Sequence, residues 1–229
     1  MSDLFPTPAE RVPARGQAVP VSPGGVIGAY GGVVLRYVRD EDSAAIISLI
    51  SSVWSEYPGK ILAASRDMPE LLAPATDYAA ANGRFWIVEA GGEIIGTVAL
   101  KPNANDPTIV ELQKMYVAHR LRRNGLGSFL CSLVEREARE RGSRAIELWS
   151  DVKLLGAHRH YKRYGFVRGP ELRFLADASR TVQYYYRLEL ADAVTVAEPA
   201  VDAAILRSLV ASWAARGADL ATILGQGRP

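Results

Sequence analysis

Arg122-Arg123-Asn124-Gly125-Leu126-Gly127 decides the reading of this chain, because of what stands on either side of it. Upstream, Thr108 to Val117 is a β-rich run. Downstream, Leu126, Phe129, Leu130, Leu133, Val134 and Ala138 recur at spacings of three and four, which marks a helix with one buried stripe. A strand therefore passes through a glycine-bearing turn into a helix N-terminus. Glycines there let backbone amides approach an anion, and the helix end adds unsatisfied N–H groups and a positive dipole. Such a turn suits a pyrophosphate. Rival phosphate motifs fail on their spacing. A dinucleotide fingerprint needs a glycine where Leu130 stands, and a P-loop needs Gly-Lys followed by Ser or Thr. Alone the pattern is weak, since about one chain in twenty of this length would carry Arg-x-x-Gly-x-Gly by chance. A plain glycine turn ahead of a surface helix with exposed arginines is the alternative.

Working outward, Phe85–Glu89 and Glu93–Leu100 flank Ala90-Gly91-Gly92, a strong hairpin signal, and with the run ending at Val117 they make an antiparallel meander. Val33–Val38 reads as a strand, followed by a helix carrying Ala45, Ile46, Leu49, Ile50 and Val53 with Asp40 as its N-cap. Residues 57–83, interrupted by Pro58, Gly59, Pro69 and Pro74, read as short helices and loops. After the glycine-turn helix, which Gly142 stops, come a strand over Ala145–Trp149, a short helix over Leu154–Tyr164 ended by Gly165, and a strand over Val182–Leu190. The order predicts an α+β fold, a three-layer α/β/α arrangement around a mixed, mostly antiparallel sheet, over residues 33–190.

Two flanking segments differ in composition. Residues 1–32 hold five prolines and six glycines and are expected to form a largely mobile arm, either a docking arm or a solvated tail. Residues 191–229 are alanine-rich. A helix from Pro199 places Ile205, Leu206, Leu209, Val210 and Trp213 on one face, and a second short helix is expected over Ala218–Leu224. That apolar face either docks on the main domain or makes a homodimer contact.

Composition narrows the function classes. With 27 basic against 25 acidic residues the net charge is +2, too little to hold a nucleic acid without clustering. Cys131 is the only cysteine and there are three histidines, so a disulfide within the chain and a thiolate zinc site are set aside; no metal is expected. His158 and His160, two apart on a helix, do not share a face for a metal. The apolar stretch Gln17–Leu35 is broken by Pro20, Pro23 and glycines, so neither a membrane span nor a secretory leader is expected, and the reading is a cytoplasmic protein.

From Glu111 to Phe166 the sequence resembles the GNAT superfamily of acetyl-CoA-dependent N-acetyltransferases. The resemblance rests on a strand like Leu112–Val117, then Arg122, Gly125 and Gly127 at a helix start, then a strand and a short helix bearing Tyr161 and Tyr164 with a Gly165-Phe166 corner. It implies acetyl-CoA as co-substrate. Backbone groups of Met115, Tyr116 and Val117 would pair with the pantetheine arm, and Arg122, Arg123, Asn124, Gly125, Leu126, Gly127 and Ser128 would hold the pyrophosphate. The cofactor would wedge between that strand and Ala145–Trp149. Tyr161 matches the family's proton donor to the leaving thiolate, and Glu111 the carboxylate that takes the amine proton. The family's asparagine ahead of the tyrosine is absent, with Asp151 as its substitute or merely a helix cap, and His158 is a candidate for the groove wall. The acceptor is expected to be a primary amine of a small molecule or peptide, beside Trp54, Glu56, Tyr57, Arg173 and Tyr184 to Tyr186. A catalytically silent acyl-CoA-binding sensor or scaffold is the alternative.

Overall fold

Two-residue glycine turns set the first half of the sheet. Gly31-Gly32 and Gly91-Gly92 all have positive φ, 56° and 79° in the first pair and 58° and 79° in the second, a tight-turn geometry that side chains resist. A computed structural model describes residues 21–190 and 200–215. Within them β1 (Val26–Tyr30), β2 (Val33–Tyr37), β3 (Arg84–Ala90), β4 (Glu93–Pro102), β5 (Ile109–Val117), β6 (Ala145–Asp151), β7 (Val167–Phe174) and β8 (Val182–Glu189) form one sheet in the order β1-β2-β3-β4-β5-β6-β8-β7. Every pairing is antiparallel except β5 with β6. That one parallel pair follows from the crossover through the glycine-turn helix.

Helices cover both faces, which is the three-layer α+β arrangement expected. On one face α1 (Ser43–Trp54) and α3 (Pro74–Ala80) bury Ile46, Ile50, Val53, Trp54 and Tyr78 against Phe85, Ile87 and Ala99. A one-turn helix, α2 (Ala64–Asp67), lies between them in the chain. On the other face α4 (Leu126–Glu140) sinks Leu126, Phe129, Leu130, Leu133, Val134 and Ala138 into the larger core, the stripe its spacing predicts. The helix α5 (Leu155–Tyr164) ends at Gly165, φ +119°, as the sequence indicates.

The sequence reading misses two strands. β1 lies inside the 1–32 segment expected to be mobile, so the ordered sheet starts earlier than residue 33; residues 1–20 lie outside the described residues. Glycines that looked incompatible with a packed segment are what allow it to pack. A Cβ on Gly28 would lie 3.1 Å from the Ala203 backbone, and one on Gly31 3.0 Å from Val210 Cγ1, so helix α6 (Ala200–Ala215) can lie directly on this hairpin. β7 contains Gly169 and Pro170 and breaks register between Arg168 and Leu172, which an edge strand tolerates because its outer side needs no partner. The apolar face of α6 docks on its own domain, with Leu206, Val210 and Trp213 at 0%, 8% and 1% exposure. The helix expected over 218–224 lies outside the described residues.

Candidate active site

A cleft opens where β5 and β6 part. Their pairing covers only Ile109↔Ala145, Val110↔Ile146 and Glu111↔Glu147. Beyond Glu111 the strand is bent by a bulge: Lys114 has φ +49°, and the β4–β5 register jumps between Thr97 and Ala99. Thr97 Oγ1 donates to the Lys114 carbonyl at 2.7 Å, and Lys114 Nζ sits 2.6 Å from Glu70 Oε1, so the bend is held from both sides. Met115, Tyr116 and Val117 consequently run along the gap without a partner strand there among the described residues. The cavity, 1610 Å³, is walled by this strand, by Trp149–Asp151, by α5 and by the turn leading into α4.

The turn has the geometry that anion binding needs. After a short 3-10 segment, His119–Leu121, Arg122 is extended, Arg123 has φ +64° and Gly125 has φ +87° as the residue ahead of α4. Gly125, Gly127 and Ser128 line the cavity with the first turn of the helix. A Cβ on Gly127 would lie 3.4 Å from His160 and 3.6 Å from Met115 Cε, so this glycine keeps the cleft face clear. A Cβ on Gly125 would instead approach Leu209 Cδ1 at 3.0 Å, on the side of α6. The lining carries Lys114, Arg120, Arg122, Arg123, Lys153, Arg159 and Arg163 against one carboxylate, Asp151. In a chain of net charge +2 this is the clustering that composition alone did not reveal, and it suits a polyanion.

Not all of these cations are unengaged. The Arg122 guanidinium grips Glu56 with two bonds, 2.6 and 2.8 Å, and its Nε donates to the Val117 carbonyl at 3.3 Å. Lys153 Nζ donates to the Pro58 carbonyl at 3.0 Å. Asp151 is held by Lys60 at 2.7 Å and accepts from the Lys153 amide at 2.8 Å, so its carboxylate works as a cap and an ion-pair partner rather than as a free ligand group.

Tyr161 reaches the cavity from α5, 6% exposed, ringed by His160, Phe166 and Tyr186. Burial pushes its phenol far up, so it holds its proton at any physiological pH. His158 does not line the cavity, contrary to expectation. Its Nε2 is bonded to the Asp151 carbonyl at 2.8 Å and its ring packs on Tyr184 and Tyr186, which holds it against β8. His160, set aside above as a metal ligand, is on the cavity wall instead.

At the inner end of the cleft lies a second group. Glu111 and Glu147 are register partners on adjacent strands, so their carboxyls share one face of the sheet. Glu147 accepts from Asn103 Nδ2 and from Tyr185 Oη, the latter at 3.1 Å. Glu111 has a looser partner, Arg173 at 3.8 Å, whose guanidinium lies 4.6 Å over the Trp149 ring and donates to Gln183. Burial raises the Glu111 carboxyl, Glu147 raises it further, and Arg173 and Gln113 oppose them. Glu111 stands just behind the lining, whereas Gln113 and Trp149 are in it.

Of the sequence-derived site residues, Met115, Tyr116, Val117, Arg122, Arg123, Gly125, Gly127, Ser128, Asp151 and Tyr161 meet at this cavity. Asn124 and Leu126 do not line it: the Asn124 carbonyl faces Trp213, and Leu126 is fully buried as the first core residue of α4. Tyr116 is on the wall, but its hydroxyl accepts from Trp54 Nε1 at 3.3 Å, and burial raises it to about 12. Of the acceptor candidates, Tyr57 lines the cavity and Arg173 joins the inner carboxylates, while Tyr186 is core. Sequence reading missed the α5 cations, although Lys153, Arg159 and Arg163 around a predicted short helix were a visible basic cluster. Among the described residues no group of three or more His, Cys, Asp or Glu could hold a metal ion, and no helix is long and apolar enough to cross a membrane.

Comparison with known proteins fits this geometry. Residues 46–166 match the family described as Acetyltransferase (GNAT) family. An uncharacterized N-acetyltransferase of Escherichia coli K12, YjgM, is 30% identical over 138 residues, covering 58% of this chain and 81% of that protein. Mouse N-acetyltransferase 8 is 29% identical over 150 residues, and this chain spans 63% of its length. In fold the chain is similar to yncA of Salmonella typhimurium, solved with its cofactor acetyl-CoA, at TM-score 0.56 and 17% identity over 72% of this chain and 97% of that one. The family match covers more than half of the chain and ends at the Gly165-Phe166 corner, so the chain belongs to the GNAT family of acetyltransferases.

Proposed function

We propose that this protein transfers an acetyl group from acetyl-CoA to a primary amine of a small molecule or peptide by direct attack, with Glu111 as its base and Tyr161 as its acid. The observation that carries the reading is the cleft itself: a cation-lined, glycine-cleared helix end and a buried phenol share one cavity, and a carboxyl raised by burial stands on the strand that walls it. An anionic cofactor tail suits the turn from Arg122 to Ser128, and the unpartnered edge of Met115–Val117 can pair with an amide-bearing arm.

The amine arrives mostly as an ammonium ion, with pKa about 10, and must lose a proton before its lone pair can form the C–N bond. Glu111 stands behind the cavity wall, so a water beside Gln113 relays that proton to it. As the tetrahedral intermediate collapses, the C–S bond breaks and the electron pair stays on sulfur. Tyr161, kept protonated by burial, donates a hydrogen bond to the developing thiolate. Backbone N–H groups beside Met115 are suited to polarising the thioester oxygen. The inner group of Glu111, Glu147, Arg173 and Trp149 offers both charge signs and a ring, which supports a small acceptor bearing an acid as well as an amine, such as an amino acid.

Thiol release from acetyl-CoA across a panel of amines tests the reading, with Tyr161→Phe as its companion. The expected result is amine-dependent release that falls on the order of 10²-fold in kcat in the variant. Tight acetyl-CoA binding without turnover on any amine would favour a silent binding module instead.

A further inference from the structure

Helix α6 lies outside the stretch that matches the family, yet it touches the anion-binding turn from behind. Trp213, 1% exposed, donates from Nε1 to the Asn124 carbonyl at 2.6 Å. Leu209 meets the same turn, with its Cδ1 3.0 Å from where a Cβ on Gly125 would stand. These two residues and Leu206 and Val210 form one face of α6, so the contact is built into the helix's own apolar stripe.

The peptide group between residues 124 and 125 turns this contact into a constraint. In a planar trans peptide the carbonyl and the following N–H point in opposite directions. The indole fixes the Asn124 carbonyl toward α6, so the Gly125 N–H is aimed the other way, toward the cavity that Gly125 lines. A glycine at φ +87° has few steric limits of its own, and Arg123, two residues before it, already holds a left-handed φ of +64°. Without an external hold this turn could rotate its amide away from the ligand.

We infer that Trp213 is a positioning residue for the diphosphate: through the Asn124 carbonyl it pre-orients the Gly125 amide, making the C-terminal helix part of the cofactor site. The inference rests on the reading of the Arg122–Ser128 turn as the diphosphate cradle. Preorganised donors bind an anion more tightly because their ordering is complete before the ligand arrives.

Trp213→Phe keeps an aromatic ring in the pocket and removes only the N–H. The acetyl-CoA Kd, measured by calorimetry on the full chain, is expected to rise about fivefold, the scale of one hydrogen bond. The separating measurement is kcat/KM with S-acetylpantetheine, a thioester donor that lacks the diphosphate. It should stay unchanged while kcat/KM with acetyl-CoA falls. An equal fall with both donors, or no fall with either, overturns the inference. Should the phenylalanine variant not fold, Leu209→Ala, at a half-buried position against Gly125, is read by the same two donors with the same outcomes. Gly127→Val separates the two levels: if it leaves acetyl-CoA affinity intact, the cradle reading itself is wrong, whereas its loss beside an unaffected Trp213→Phe removes only the role of α6.

Discussion

The two ends of the cleft are built in opposite ways. The outer end is a contiguous stretch, Met115 to Ser128, in which the proposed donors are backbone amides, glycine clears the approach and cations outnumber carboxylates. The inner end gathers Glu111, Glu147, Trp149, Arg173 and Tyr185 from four strands, joined by one loose ion pair and by the Tyr185 hydrogen bond to Glu147. An anion cradle must present donors with nothing in front of them, so its demands fall on backbone conformation and are local. A site that handles a proton must balance burial against neighbouring charge, so its demands fall on side chains brought together by the sheet.

The largest test of this contrast is the removal of the one inner carboxyl that is loosely held. Glu111→Gln is expected to lower kcat/KM on the order of 10²-fold while leaving the acetyl-CoA Kd unchanged. The wild-type kcat/KM should rise with pH through a limb lying above the ordinary glutamate range near 4.3, since a base works only when deprotonated and burial raises this one. The variant should lose that limb. A profile in which the glutamine enzyme keeps it would assign the limb to another group and leave Glu111 as structure.

The same contrast explains what could be read in advance. The meander, the α4 stripe and the glycine turn ahead of α4 were legible because each depends on residues close in sequence: glycine pairs at tight turns, apolar spacings of three and four, and Arg122 to Gly127 ahead of a helix. β1 and β7 were not, because each carries glycine or proline inside it and lies in or beside glycine- and proline-bearing sequence. β1 tolerates Gly28 since α6 lies on it, and β7 tolerates Pro170 as a sheet edge. At the site, Tyr161 and Glu111 were reached through resemblance. Glu147 was invisible as a partner of Glu111, since the parallel register that joins residues 36 apart is set by the length of the α4 crossover. His158 was misjudged for His160 because helix phase on a ten-residue segment is settled by packing, here on Tyr184 and Tyr186.

That hidden pair sharpens the comparison with a smaller effect. Lys101, Glu111, Glu147 and Arg187 are successive register partners across β4, β5, β6 and β8, and Arg173 reaches Glu111 from β7. Of these neighbours Glu147 is the like charge, so Glu147→Gln, which keeps the side-chain shape, should move the kcat/KM limb to lower pH by removing repulsion against ionised Glu111. The sign is fixed: a weaker like charge makes Glu111 more acidic, and a base that deprotonates earlier is active at lower pH. An unmoved limb, with the Glu111→Gln result intact, would mean that burial alone sets the base and that the two strands' carboxylates do not communicate.

The smallest effect belongs to the outer end and concerns the arginine that a two-bond carboxylate pair holds there. Arg122 and Glu56 form a two-bond pair with side chains 30% and 29% exposed, and pairs of this kind contribute little to stability in water. Yet the pair has a direction for binding. If the turn is the proposed diphosphate cradle, a guanidinium committed to Glu56 must leave it, or share it, before meeting a phosphate. Glu56→Gln should therefore tighten acetyl-CoA binding about threefold, the scale of an exposed ion pair, with the difference shrinking as salt is raised. The melting temperature should hardly change. Weaker binding in the variant would reverse the role of Glu56: it would then be the carboxylate that aims Arg122 into the cleft, and the outer end, like the inner one, would depend on a charge supplied from outside its own stretch of sequence.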